Sequence, residues 1–256
     1  LDRKKLQSLF SEIDSTLIGS FCDDIELCQQ IDYPVYTKYF YPPQFWSRLN
    51  SINEGVDFET VGLNDSCEKR MIGIIPKDFD REFLEFPVKY FKIINSSKFK
   101  ELEHKHFLGT IMSLGIKREI LGDLIVKNGV CYGIINEELF DFLVDNLKEI
   151  GKTPVKIEEI KFQEIPESEF IDIVESVASM RFDVIVSALG NFSRNDGSEK
   201  IEAGEVLLNY GMEKEKSRVI KEKDIISIRK KGKFIIESIL GETKKGKTRI
   251  LAKKFS

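Results

Sequence analysis

Histidine is nearly absent from this chain: His104 and His106 are the only two in 256 residues. Spaced i, i+2, they do not share a helical face, so a joint metal site is not expected. Cysteine is scarce too. Cys22, Cys28, Cys67 and Cys131 form neither a CxxC pair nor a Cys/His quartet, which leaves no zinc-type spacing and points to isolated reduced thiols. No apolar run approaches the ~18–20 residues of a membrane span, and no secretory pattern is read at the N-terminus. No GxGxxG follows a strand, and there is no P-loop and no GxSxG elbow, so nucleotide, S-adenosylmethionine and serine-hydrolase chemistry have no support. The expectation is a cytoplasmic, non-membrane protein without cofactor, metal or catalytic residues, acting as a monomer.

What is present is charge, and it is segregated. The net −4 hides a basic C-terminal part: residues 178–256 hold 18 Lys/Arg against 11 Asp/Glu, while residues 1–177 hold 21 against 32. Within the acidic part, residues 87–118 hold 7 against 2. A concentrated basic segment is the electrostatic footprint of a nucleic-acid partner.

Hydrophobic periodicity then orders the chain. Residues 1–30 carry a helical pattern through Leu6, Leu9, Phe10, Ile13 and Leu17. A short helix fits Gln44 to Ile52, and strands fit Val56–Leu63 and Arg70–Ile75, so residues 1–86 read as a small α/β unit. From 87 to 162 the order is βαββαβ. Strand Val88–Ile94 leads to a helix through Phe107 and Ile111 that ends at Gly115. Strands Gly122–Val126 and Val130–Ile134 meet at Asn128-Gly129, and a helix capped by Asn136 and closed by Gly151 precedes strand Val155–Ile160. That arrangement is ferredoxin-like. Residues 163–177, acidic and containing Pro166, read as a linker.

The stretch "SRNDGSEKIEAGEVLLN", Ser193 to Asn209, gives two opposed signals. Asp196-Gly197 marks a turn, whereas Ser193 three residues before Asp196 marks a capped helix start. The surroundings favour the helix: a helix from Met180 to Gly190 precedes it, Ile201 faces inward, Gly204 fits the C′ position, and strands follow at Val206–Asn209, Asp224–Arg229, Phe234–Ile239 and Thr248–Ala252. Gly197 should then cost the helix about 1 kcal/mol, so Gly197→Ala is expected to stabilise it.

Arg181-Phe182-Asp183, Ser193-Arg194, Ile201, Gly204, Val206 and Asn209 resemble the alpha-L RNA-binding motif of the ribosomal protein S-four type of domain. "FKELEHKHFLGTIMSLGIKREILGDLIV", "DNLKEIGKTPV" and "GETKKGKTRI" extend the resemblance to the YlmH family of bacterial cytosolic proteins. That family usually has Asp where His106 stands and Ala where Gly197 stands. The resemblance implies association with the ribosome, particularly a large subunit carrying a stalled nascent chain on tRNA. It also implies a part in ribosome-associated quality control and a link to cell division.

The expected fold is therefore α+β: a small N-terminal α/β unit (1–86), a central ferredoxin-like βαββαβ RNA-binding unit (87–162), a linker (163–177), and a C-terminal alpha-L RNA-binding domain of two short helices plus a small β-sheet (178–256). Structured rRNA or tRNA is the expected partner. Arg181 and Arg194, near helix starts where free amides favour phosphate, are the principal expected contacts. Ser193 caps its helix, and Asp183 aligns an arginine. Lys200, Asn209, the run Arg229, Lys230, Lys231 and Lys233, the hairpin tip Lys244, Lys245 and Lys247, and Lys117 with Arg118 complete the expected surface. Two rival readings are an RNA-modifying enzyme, for which Asp123 is the one candidate acid, and a protein-interaction adaptor built on the acidic segments.

Overall fold

The computed structural model describes residues 3–52, 54–96 and 102–255. Two compact units divide the chain, Leu1–Glu167 and Ser168–Ser256.

The first unit opens with α1 (Arg3–Leu9) and α2 (Ser15–Ile31). Asp14 starts α2 by accepting from the Thr16 amide at 2.7 Å. Ile18, Phe21, Cys22, Ile25 and Cys28 form its buried stripe at helical spacing. β1 (Val35–Tyr41), α3 (Pro43–Trp46), β2 (Val56–Val61) and β3 (Arg70–Pro76) follow. The strands form an antiparallel sheet in the order β1-β3-β2. Phe10, Phe21, Tyr41 and Phe45 pack ring against ring between sheet and helices. The helix expected from Gln44 to Ile52 is shorter: α3 stops at Trp46 and a single 3-10 turn, Leu49–Ser51, replaces the rest.

β4 (Val88–Asn95), α4 (His104–Ser113), β5 (Leu121–Lys127), β6 (Val130–Asn136), α5 (Phe140–Asn146), β7 (Glu149–Ile150) and β8 (Thr153–Ile160) build a second antiparallel sheet ordered β5-β6-β4-β8-β7. Asn128 and Gly129 take φ of 52° and 76°, the left-handed pair that a two-residue hairpin needs. α4 and α5 bury Phe107, Ile111, Phe140, Leu143 and Leu147 against one face of this sheet. On the opposite face Ile134 and Ile160 join Phe40, Leu63, Met71 and Ile165 in a common buried layer. Residues 1–86 and 87–162, read from the sequence as separate subdomains, thus share a core. α5 also ends earlier than Gly151: Leu147 leaves the helix, and Gly151, at φ 64°, turns Glu149–Ile150 back onto Thr153 and Pro154.

The second unit comprises β9 (Phe170–Val177), α6 (Phe182–Gly190), α7 (Arg194–Glu202), β10 (Val206–Leu208), β11 (Gly211–Met212), β12 (Ile225–Ile228), β13 (Gly232–Glu242) and β14 (Thr248–Phe255). Its antiparallel sheet runs β11-β10-β12-β13-β14-β9. Most of the expected linker is β9, paired with β14 from Phe170 opposite Phe255 to Val177 opposite Thr248. The acidic residues Asp172 and Glu175 mask the strand in the sequence, and its partner lies far along the chain. α6 and α7 cover one face of the sheet, where Phe182, Ile185, Val186 and Ile201 meet Val206, Ile226, Phe234, Ile236 and Ile250.

Candidate nucleic-acid interface

Helix α7 exists as the capping pattern predicts. Ser193 Oγ accepts from the Asp196 amide at 3.1 Å, and Gly204 ends the element at φ 71°. Asp196-Gly197 is its first turn, not a hairpin. Arg181 stands at the N-cap of α6 in extended conformation, bridged to Val219. That neighbouring segment takes the amides the helix start would offer: Phe182 N–H donates to Arg218 O at 2.8 Å and Asp183 N–H to Lys216 O at 3.1 Å. The expectation that these α6 amides hold phosphate is therefore corrected, because both are already hydrogen-bonded.

The two guanidinium groups converge instead on one carboxylate. Arg181 donates from Nε to Asp183 Oδ1 at 3.0 Å and from Nη2 to Oδ2 at 3.2 Å; Arg194 donates from Nε and Nη2 to Oδ2, both at 3.2 Å. The Asp183 side chain is 5% exposed, against 41% for Arg181 and 63% for Arg194. The anion is inside and the cations outside, so the surface carries two forked donors with one positive charge in excess. Burial acts to raise the Asp183 carboxyl, but hydrogen bonds from Arg181 and Arg194 outweigh it and hold it below the usual carboxylate range. Asp183 thus aligns both arginines.

α6 and α7 touch at Gly197. A Cβ there would lie 2.3 Å from Ser187 Oγ, a hydroxyl that donates to Asp183 O at 2.7 Å and also lies 3.3 Å from Ser193 O. Gly197 is a buried contact residue and not merely a weak helix former. The expected stabilisation by Gly197→Ala is corrected accordingly: the added methyl meets the neighbouring helix.

A second cluster surrounds Phe192, which sequence reasoning passed over. Lys200 Nζ lies 5.2 Å and Lys231 Nζ 4.9 Å from its ring centroid. Glu205 accepts from Lys200 at 2.7 Å and stands 3.7 Å from Arg229. The Arg229 amide donates to Glu205 O at 2.9 Å, and Lys230 turns the chain at φ 64°. Lys200, Arg229, Lys230 and Lys231 thus gather at one end of α7. The available signal was an aromatic residue immediately before a helix cap in a basic segment.

The other expected contacts separate from this group. Lys244, Lys245 and Lys247 are exposed on the hairpin tip between β13 and β14. They sit at the far end of the 11-residue β13 from the Arg229–Lys231 turn, roughly 30 Å away at strand rise. Asn209 is spent on structure: Nδ2 donates to Asp224 Oδ1 and Oδ1 accepts from the Ile225 amide, both at 2.8 Å. Lys233 lies 4.2 Å from the Phe255 ring centroid and 5.7 Å from that of Tyr210. In the first unit, Lys117 is exposed, but Arg118 points inward and donates to Leu121 O and Gly122 O at 2.9 and 3.0 Å. Arg118 is therefore corrected from a surface contact to a loop brace. Asp123, the candidate acid, accepts from the Glu68 and Lys69 amides at 2.6 and 2.8 Å, which anchors the loop before β3. His106 Nδ1 accepts from the Glu103 amide at 3.0 Å and, as the N3 residue, completes the capping box of α4. Among the described residues no three His, Cys, Asp or Glu side chains gather as a metal site, and no helix is long and apolar enough to cross a membrane.

Three similarities accompany this geometry. A family model described as "Putative RNA-binding domain in YlmH" matches residues 82–164, which include all of the second sheet. "Ribosome-associated protein quality control protein P2" of Bacillus subtilis (strain 168) is 27% identical over 191 residues, spanning 74% of this chain and 74% of its own length. The solved "Cell division protein ylmH from Streptococcus pneumoniae" matches with a TM-score of 0.50 and 28% identity, covering 60% of this chain and 94% of that one.

Proposed function

Since the chain belongs to the YlmH family, we propose that it is a non-enzymatic, cytoplasmic RNA-binding protein that associates with the ribosome. Its ligand is structured rRNA or tRNA, on a large subunit bearing stalled peptidyl-tRNA, and its role is ribosome-associated quality control. The matched RNA-binding region and the quality-control relative support the reading at this level. The central βαββαβ unit acts as a ferredoxin-like RNA-binding module, and the second unit as an alpha-L domain of the S-four type.

One observation carries the proposal: Arg181 and Arg194, from adjacent helix starts, are held on the single buried Asp183. Two planar forks fixed side by side suit two neighbouring phosphates better than mobile point charges do. Their order is imposed from inside the protein before RNA arrives, so little entropy is lost on binding. The Phe192 cluster extends the same cationic surface along α7. Lys117 and the Lys244–Lys247 tip are secondary contacts.

The test is co-sedimentation with separated ribosomal subunits, wild type against Arg194→Gln and Arg194→Lys. Glutamine is cleaner than glutamate here, because a new carboxylate would face Asp183. The loss of charge-assisted contacts worth ~1.5–3 kcal/mol predicts roughly 10- to 150-fold weaker binding for Arg194→Gln. Arg194→Lys should recover only part of it, because the ammonium lacks the fork. Affinity should fall steeply with salt through counterion release. Wild-type protein that sediments with neither subunit at low salt, or an Arg194→Gln variant of undiminished affinity, would overturn the proposal.

A further inference from the structure

α6 and α7 cover only one face of the six-stranded sheet, and the opposite face carries an aromatic pair between lysines. Phe170 on the edge strand β9 lies opposite Phe255 on β14, their ring centroids 5.0 Å apart and tilted edge-to-face. Phe170 is 39% exposed, and Val174, four residues further along the same face of the strand, is 52% exposed. Lys233 lies 4.2 Å from the Phe255 centroid and Lys253 lies 5.8 Å from that of Phe170. Lys233 is the second residue of β13, directly after the Arg229–Lys231 turn, so that turn separates this face from the Phe192 cluster beside α7. The acids on this face adjoin Lys253 and leave Lys233 toward the turn: Asp172, between Phe170 and Val174, is opposite Lys253, and Glu237 accepts from Lys223 at 2.7 Å with Lys253 at 3.7 Å.

We propose that this end of the open sheet face binds single-stranded RNA, with bases stacking on Phe170 and Phe255 and phosphates meeting Lys233 and Lys253. The inference rests on the RNA-binding reading and adds a second surface with a different ligand form. Rings exposed on a sheet engage unpaired bases, because a duplex keeps its base faces stacked internally. A wholly apolar patch would suit a protein partner; here ammonium groups border the rings on both strands, which matches the alternation of base and phosphate along a single strand. The β12–β13 turn lies between the two surfaces, Lys231 reaching Phe192 beside α7 and Lys233 reaching Phe255 on the open face, so an RNA with a stem and an unpaired tail can pass from one to the other around this end of the sheet.

The test uses the full chain and fluorescence anisotropy with two probes, a labelled oligouridine and a labelled RNA hairpin stem. Phe170→Ala/Phe255→Ala should weaken oligouridine binding by about tenfold or more and leave the stem within twofold. Lys233→Gln/Lys253→Gln, which keeps the ring packing, should weaken oligouridine binding and reduce its salt dependence. Phe170→Trp should report base stacking as indole quenching on oligouridine, above the background of Trp46 in the first unit. Stem binding without oligouridine binding would sink this inference alone, whereas failure of both RNAs would also sink the RNA-binding reading. Should the alanine variant fail to fold, absence of quenching in Phe170→Trp decides against the proposal. Loss of retention on nuclease-treated ribosomal proteins, with oligouridine affinity unchanged, would overturn it in favour of a protein partner.

Discussion

Gly197→Ala should weaken the second unit, and Ser187→Ala should reverse the effect. On an isolated helix the substitution would gain about 1 kcal/mol from propensity. Here the new methyl falls 2.3 Å from Ser187 Oγ, with Ser187 Cα and Cβ at 3.4 Å. The hydroxyl must rotate away from Asp183 O, 2.7 Å distant, which leaves a buried polar group unpaired at about 1–3 kcal/mol. If the helices part instead, overpacking costs a similar ~1–3 kcal/mol. The net expectation is a loss of about 1 kcal/mol. With Ser187→Ala the oxygen is gone and the remaining contacts are ordinary, so Gly197→Ala in that background should stabilise by ~0.5–1 kcal/mol. The coupling between the two sites is then about 2 kcal/mol, within the range for residues in direct contact. Hydrogen exchange of the α6 and α7 amides reads it within the intact chain: a change of ~1 kcal/mol shifts local opening about fivefold. Trp46 fluorescence reports the first unit and should not move. A single Gly197→Ala variant more stable than wild type, or an effect independent of residue 187, would refute the reasoning.

Two further predictions concern titration and capping. Because the folded-state carboxyl of Asp183 lies below its unfolded value, its contribution to stability is present above pH ~4 and is lost as pH falls through the folded pKa; Asp183→Asn should flatten that acid limb and also lower RNA affinity, whereas a purely Coulombic role predicts higher affinity. His106→Ala should remove the N3 half of the α4 capping box and cost a fraction of a full N-cap loss, roughly 0.5–1 kcal/mol, and His106→Asp should retain or improve it through the helix dipole; thermal melts of the two variants decide, and equal melting temperatures would contradict the capping role.

Where a signal is local, the sequence is sufficient. Ser193 and the residues after it specify α7, because a side-chain oxygen three residues before a free amide satisfies it whatever the rest of the chain does. Asn128-Gly129 likewise specifies its hairpin through two left-handed residues, and the apolar run Val88–Asn95 specifies a strand, β4, packed on both faces. The segregated charge and the arginines of the basic segment are legible in the same way. Tertiary structure decides what each group has left to offer. Arg181 and Arg194 stand apart in sequence, and only the crossing of α6 and α7 brings both onto Asp183. The same crossing makes Gly197 a contact that no propensity scale contains. Arg118 reads as a surface cation until the loop folds over it, and Phe170–Val177 reads as a linker until β14 supplies the other half of its ladder. A cap or turn is completed within a few residues of chain, whereas the pairing of a strand, the direction of a guanidinium and the space beside a glycine depend on groups that meet only after folding.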